Sequence, residues 1–367
     1  MLTLLLLAAC PTGVSYPGAE WPSKVDETKA SKAAAIAALE EYAFTLIGED
    51  KERKGFRTDG LVIIKDGVLI YERYGRGYDE KKRHISWSVS KTVSNALVAR
   101  AVQLGKLKID DSVCTYMESS NGEFCGRTVK NFLEFSSGID WNEIYEDQSN
   151  QYSSVLALLY GEGRRDMVKF MAKHRYRAEA GESYAYSTGD SVIVAAAAKG
   201  ALEKDYGHDW DRQVLYAPIG MKSAIMERDS KGVPAGGSWW YATPRDYARF
   251  GWLWLNDGCW AGQRLFPEGW VAASNTVSEG MKKQPIDRSD GEVYGWQFAL
   301  NQRVPEVGQT TLPFPDLPED MMLPRGHWGQ YIGIFPTERV VVIRTGDDRA
   351  GYLDLNNFFK LALEVAK

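Results

Sequence analysis

The sequence predicts a mixed α+β (α/β) chain. An antiparallel sheet drawn from both ends of the chain, flanked by terminal helices, stands beside a mostly helical middle. Three observations lead there. Asp66-Gly67 separates two β-rich runs, Leu61–Ile64 and Val68–Glu72, a strong hairpin signal. Two more β runs, Gly329–Phe335 and Val340–Thr345, lie near the C-terminus, joined by Pro336-Thr337-Glu338-Arg339. The stretch between carries apolar residues at helical spacing. End segments that pair around a helical insertion leave a cleft between the two parts, the usual place for a site.

Taken in order, Leu2–Ala9 is a short apolar run, followed by Cys10, Pro11 and a Gly/Ser/Pro-rich stretch to Pro22. The run is too short to span a bilayer and fits a signal-peptide core. Leu7-Ala8-Ala9-Cys10 resembles a bacterial lipobox. That resemblance implies cleavage before Cys10, a lipid anchor on Cys10, and a place on the periplasmic side of a cell envelope. The departure is a missing Lys/Arg-containing leader. Residues 1–23 are therefore expected to be signal and tether, and 24–367 one catalytic domain. Its sheet region takes about 24–85 and 235–367, and its helical region about 86–234.

Asp26–Leu46 has helical spacing through Ile36, Leu39, Tyr42, Ala43 and Leu46. A helix begins near Ser88 and runs to Leu104, ended by Gly105. Further helices are expected at Thr128–Phe135, Ser154–Tyr160, Arg165–His174, Ser191–Glu203, Asp209–Tyr216 and Arg245–Asn256. The last has Pro244 at the favoured first position. A strand is expected at Tyr294–Asn301 and an amphipathic helix at Leu355–Ala366.

Composition narrows the function. The chain has 367 residues, 44% hydrophobic and 25% charged, with a formal net charge of −5. No concentrated basic run exists, which argues against nucleic-acid binding. Twelve Trp and nineteen Tyr suit either an aromatic-lined cleft or an aromatic-rich core. With four His and no C-x-x-C or H-E-x-x-H, neither a metal site nor a cofactor is expected. Cys114 and Cys125 lie in one polar loop and would pair in an oxidising compartment. Cys259 is left as a buried thiol.

Three stretches carry candidate chemistry. In Ser86-Trp87-Ser88-Val89-Ser90-Lys91-Thr92, Ser88 and Lys91 share a helix face. A serine needs a neighbouring base to act as nucleophile, and lysine supplies one if its surroundings allow. In Tyr184-Ala185-Tyr186-Ser187-Thr188, Tyr186 is a second acid–base candidate. In Arg325-Gly326-His327-Trp328-Gly329-Gln330-Tyr331, glycines admit close backbone approach, and an N–H there can face a developing oxyanion.

Together these stretches resemble the β-lactamase-like serine hydrolases, the branches that include AmpC-type β-lactamases, DD-peptidases, family VIII esterases and 6-aminohexanoate-dimer hydrolases. Trp87–Thr92 resembles the Ser-x-x-Lys motif. Phe135-Ser136-Ser137-Gly138-Ile139 resembles the family's Thr-Ser-Gly segment. Tyr186-Ser187-Thr188 stands where Tyr-x-Asn is usual, and His327-Trp328-Gly329 where Lys-Thr-Gly is usual. Gly236-Gly237-Ser238 and Thr243–Gly251 also look like family blocks.

The resemblance implies a Ser88 acyl-enzyme with Lys91 and Tyr186 sharing the proton traffic, and either could be the base. It implies an oxyanion hole from the N–H groups of Ser88 and Gln330. Trp87, Thr188, His327, Trp328, Gly329 and Tyr331 would bind substrate. Glu143, Tyr145 and Asp147 fall where relatives place substrate-side residues. Thr188 lacks the amide of Asn, and His327 is a conditional cation unlike Lys. Both point from β-lactams towards a small ester or amide. The alternatives are a β-lactamase or DD-peptidase and, from another class, an inactive binding lipoprotein on the same fold.

Overall fold

The centre of the sheet joins the two ends of the chain. In this computed structural model residues 10–46, 49–52, 54–117, 121–145, 152–284, 292–349 and 353–367 are described. Thr58–Lys65 pairs antiparallel with Val68–Tyr74 on one side and with Val340–Gly346 on the other. Val340–Gly346 pairs in turn with Gln330–Phe335. The sheet continues through Met322–Leu323, Ala299–Leu300 and Val293–Tyr294, and Arg325–Gly326 lies beside Gln330–Phe335. Leu61, Val62, Ile63 and Ile64 are all fully buried. A strand apolar on consecutive residues must be covered on both faces, and this one is. On one face Gly333 leaves room for Phe359 of the helix Leu355–Ala366; on the other, Gly251 of the helix Pro244–Leu255 sits against Val341 and Ile332.

The C-terminal helix buries Leu355, Phe358, Phe359, Ala362 and Val365, a stripe at helical spacing. Pro244–Leu255 starts on a Thr243 cap with Pro244 at its first position. In the helical region, Val89–Gln103 packs along Thr188–Tyr206. Both are buried over most of their length, which is why neither shows one clean apolar stripe in the sequence.

Several expectations are corrected. Asp26–Leu46 forms two helices, Val25–Ser31 and Ala33–Phe44, divided at Lys32. The helix expected from Ser191 starts at Thr188, because the Ser187 side chain caps it by accepting from the Asp190 N–H. The strand expected at Tyr294–Asn301 is a hairpin of two short strands. Gln297 turns it with φ 70°, its side-chain amide donating to the carbonyls of Phe132 and Leu133.

The largest correction is at the N-terminus. Leu2–Ala9 lies outside the described residues. Cys10 is bonded to Cys259 through an S–S of 2.04 Å. A sulfur in a disulfide carries no lipid thioether, so Cys10 is not an anchor here and Cys259 is not a free thiol. Nor is 11–23 a loose tether. Trp252 Nε1 donates to Ser15 O, Arg249 Nη2 to Gly18 O and Ala19 O, and the buried Trp21 donates to Arg245 O. The stretch is a strap along Pro244–Leu255. Cys114 and Cys125 form a second disulfide.

Candidate active site

Ser88 is the N-cap residue of Val89–Gln103, and Trp87 before it has φ 47°. A non-glycine residue in that region costs about 1–3 kcal/mol and persists only where surrounding packing fixes it. Phe135 and Trp328 also have positive φ; Phe135 packs on Tyr186 and Trp328 on Trp87. Ser86 and Ser90 Oγ bond each other, and Ser90 Oγ donates to the Ser238 carbonyl. These bonds pin the bend beneath Ser88.

Lys91 is 1% exposed. Its Nζ donates to Ser88 Oγ at 3.0 Å, Thr188 Oγ1 at 2.8 Å and Gly237 O at 2.9 Å. Three acceptors around a three-proton donor form a saturated set. Gly237 reaches in because it has no side chain: a Cβ there would lie 2.7 Å from Thr188, and one at Gly236 would lie 2.5 Å from Ala195. The double glycine lets its segment wedge between two helices and present a carbonyl. Tyr186 lies with its ring centroid 4.7 Å from Lys91 Nζ, packed on Phe135 at 5.1 Å and Tyr294 at 5.3 Å.

Thr188 is fully buried, which corrects its expected place on the substrate side. Its hydroxyl lies between Lys91 and Glu143, donating to Glu143 Oε1 at 2.5 Å. Glu143 Oε1 is also 3.6 Å from Lys91 Nζ. Thr188 thus makes the lysine contact that its missing amide had put in question. Behind it Asp190 is buried; burial pushes its carboxyl well above the usual range, and Ser137 Oγ donates to it.

Across the cleft, His327-Trp328-Gly329 is the turn between Arg325–Gly326 and Gln330–Phe335. A Cβ on Gly326 would lie 2.1 Å from Ser86 O and 3.1 Å from Ser88 N, so glycine is what allows the turn to approach the serine backbone. The turn is braced from below. Arg344 and Asp348, both buried, form a two-bond ion pair, Arg344 Nη1 donates to Gly329 O, and Asp348 N to Trp328 O. A side chain on Gly329 would strike this pair. Gln330 is buried, its side chain bonded to both the N–H and the C=O of Gly346.

The lip of the cleft is aromatic. Trp87 meets Trp328 edge-on at 5.0 Å and His327 at 5.9 Å; Tyr145 stacks on His327 at 5.2 Å; Arg349 lies over Trp328 at 3.5 Å. Burial and the Glu143 carboxylate push the Tyr145 phenol well above its ordinary value. Tyr331 does not belong to this lip. It is 3% exposed, and its ring packs on Phe359 in the other layer, because neighbouring strand residues point to opposite faces. Asp147 lies outside the described residues. Four of the twelve Trp (Trp210, Trp240, Trp252 and Trp254) are fully buried core residues.

Sequence reasoning missed the Gly237 carbonyl, although the paired glycines marked the segment. It placed Glu143 near substrate without seeing its bonds to Thr188. Among the described residues no His/Cys/Asp/Glu group of three or more could hold a metal ion.

Comparison with known proteins fits this geometry. The chain is 23% identical over 248 residues to the 6-aminohexanoate-dimer hydrolase of Paenarthrobacter ureafaciens. That match covers 66% of this chain and 63% of the relative, so the chain spans less than two thirds of that relative's length. Among solved structures, a Bacillus anthracis protein provisionally named a 6-aminohexanoate-dimer hydrolase superposes with a TM-score of 0.68 at 20% identity, over 84% of this chain and 79% of that one. EstCE1, a hydrolase with promiscuous acyltransferase activity, gives 0.64 at 13% identity, over 93% and 98%. At these identities the structural matches establish the fold. The β-lactamase family model matches residues 43–349, and the chain belongs to the β-lactamase family.

Proposed function

We propose that the protein is a serine hydrolase that cleaves a small ester or amide through a Ser88 acyl-enzyme. The observation that carries this reading is the 3.0 Å contact between Ser88 Oγ and the buried Lys91 Nζ, beside Tyr186 and at the mouth of the cleft. Ser88 Oγ attacks the carbonyl carbon and gives up its proton to the Lys91–Tyr186 pair. Tyr186 returns a proton to the leaving group. Water then attacks the acyl carbon with the same pair as base, and Ser88 leaves with its proton restored. The N–H groups of Ser88 and Gln330 are assigned to the developing oxyanion. The rings of Trp87 and Trp328 suit an apolar acyl or leaving group, with His327 where a β-lactam carboxylate would want a permanent cation. The name of the relative, a 6-aminohexanoate-dimer hydrolase, agrees with this class.

Ser88→Ala is the direct test. Hydrolysis of p-nitrophenyl esters and aminohexanoate oligomers should fall by about a thousandfold or more, and a fluorophosphonate should label wild type at Ser88. Near-normal turnover by the variant would remove Ser88 from the mechanism.

We also propose an oxidising location on the periplasmic side of a cell envelope. Two disulfides support it. Non-reducing intact mass on protein from its native compartment should show no free thiol; Cys10 and Cys259 recovered as thiols would contradict it.

A further inference from the structure

A second, smaller sheet leads into the active site. Its strands are His84–Ile85, Trp240–Ala242 and Ile225–Met226, with Trp240–Ala242 in the middle. Ser86 N donates to Trp240 O at 2.8 Å, so the pairing continues to the residue before Trp87. Side chains alternate across the sheet. His84, Ala242, Trp240 and Met226 are buried on the inner face. Ile85, Tyr241 and Ile225 are direct partners and form one row across the outer face. Trp239 takes the next outward place, and its carbonyl accepts from Glu227 N at 3.0 Å.

The outer face of an antiparallel sheet at the surface is ordinarily polar. Here Ile85, Tyr241 and Trp239 are half-buried, and Ile225 is 43% exposed. Glu227 is the one charged side chain among these positions, and its carboxylate accepts from the Tyr241 phenol. The apolar surface continues onto the neighbouring helix Ser154–Leu159. Tyr160, at its end and 51% exposed, meets the Trp239 ring edge-on at 5.3 Å. Leu156, four residues earlier and also exposed, shares the Tyr160 side of the helix.

This surface is continuous with the cleft. Ile85 stands two residues before Trp87 of the lip. Trp239 stands two residues after Gly237, whose carbonyl accepts from Lys91. The Tyr160 phenol is close enough to act electrostatically on both Tyr145, which stacks on His327, and Tyr241. From the first strand to the third the face extends about 10 Å. Contiguous exposed apolar surface of this kind marks a binding groove or a contact with a partner. None of the three strands carries a Lys or Arg, the side chains that an anionic membrane surface attracts. Continuity with the lip favours the substrate itself.

We propose that this face is an extended binding surface for the apolar chain of the substrate, so that the bond cleaved at Ser88 belongs to an ester or amide with a long aliphatic chain. This rests on the Ser88 acyl-enzyme reading. Ile225 and Tyr160 are the specificity residues farthest from the reacting atoms, and each meets the chain of a long substrate only.

The test is kcat/KM along two series, p-nitrophenyl esters from acetate to dodecanoate and alkyl acetates from ethyl to dodecyl. In wild type, one series should rise by about tenfold or more from its shortest to its longest member. Which series rises identifies the side of the scissile bond that lies on the face. Tyr160→Ala and Ile225→Ser alter exposed side chains and leave the core intact. Each should lower the long-to-short ratio by about threefold or more, while Tyr160→Phe, which keeps the ring, should preserve it. A merely structural role would lower both ends of the series together and leave the ratio unmoved. A flat ratio in both series overturns the proposal, as does a rise that both variants retain, since the lip alone would then hold the chain. Light scattering that finds a dimer dissociated by Ile225→Ser assigns the face to a second copy and also overturns it. So does sedimentation with phosphatidylcholine vesicles that Ile225→Ser abolishes. Wild type is treated with fluorophosphonate in parallel. Label at Ser88 with a flat ratio overturns this proposal alone, whereas no label and no turnover overturn the hydrolase reading together with it.

Discussion

The two walls of the cleft are built in different ways. On the helical wall, Ser88, Lys91, Thr188, Glu143 and Gly237 are joined by directed hydrogen bonds of 2.5–3.0 Å. Around the turn on the sheet side, His327 and Trp328 meet Trp87 and Tyr145 of the helical side through ring packing at 4.6–5.9 Å. Directed bonds fix atoms to within a fraction of an ångström, which proton transfer requires. Ring packing tolerates small shifts and presents apolar surface. Under the proposed hydrolase reading, chemistry belongs to the hydrogen-bonded set and recognition to the aromatic lip. The rigidity of the lip lies below it, in the Arg344–Asp348 pair.

That pair offers the harshest test after removal of the nucleophile. Asp348→Ala leaves the Arg344 charge buried and unpaired, since both side chains are almost wholly excluded from solvent. Unfolding stability in urea should fall by about 3–5 kcal/mol. The His327–Gly329 turn should loosen with it, because Asp348 N and Arg344 hold its carbonyls. A loss below about 1 kcal/mol would mean that the turn stands on its own packing.

The lip itself should respond more gently. Trp328→Ala removes the ring between Trp87 and Arg349. KM for an ester with an apolar acyl chain should rise several-fold while kcat stays within about threefold, and stability should drop by about 1 kcal/mol. A collapse of kcat at constant KM would break the division between the two walls. It would place Trp328 among the groups that act on the transition state.

Much of this was legible along the chain. Leu355–Ala366 is amphipathic and lies on a sheet face, so its period survives in the sequence and its bounds are those expected. The Asp66-Gly67 hairpin is local and reads just as directly. The helix at Thr188 was placed three residues late, because its cap is a serine whose bond to Asp190 is invisible in periodicity. The strand expected at Tyr294–Asn301 has alternating apolar residues, but Gln297 is drawn inward by carbonyls from residues 132 and 133, more than 160 positions away.

Within the site, the sequence by itself determined which groups exist. Ser88 and Lys91 are three residues apart on one helix, so their contact follows from helix geometry alone. Tyr186 and the glycine-flanked turn at 327–329 could be named from motifs. Tertiary structure decided what each group touches. Thr188 and Glu143 are 45 residues apart, and Lys91 and Gly237 are 146 apart; no local rule links them. Tyr331 and Gln330 are adjacent, yet the pleat sends one to the core beneath and leaves the other bracing the turn. Cys10 and Cys259, 249 residues apart, meet only because the strap follows the helix Pro244–Leu255. Short-range geometry is written in residue spacing. Long-range pairing depends on which surfaces the whole chain can bury together, and that is settled only once the chain has folded.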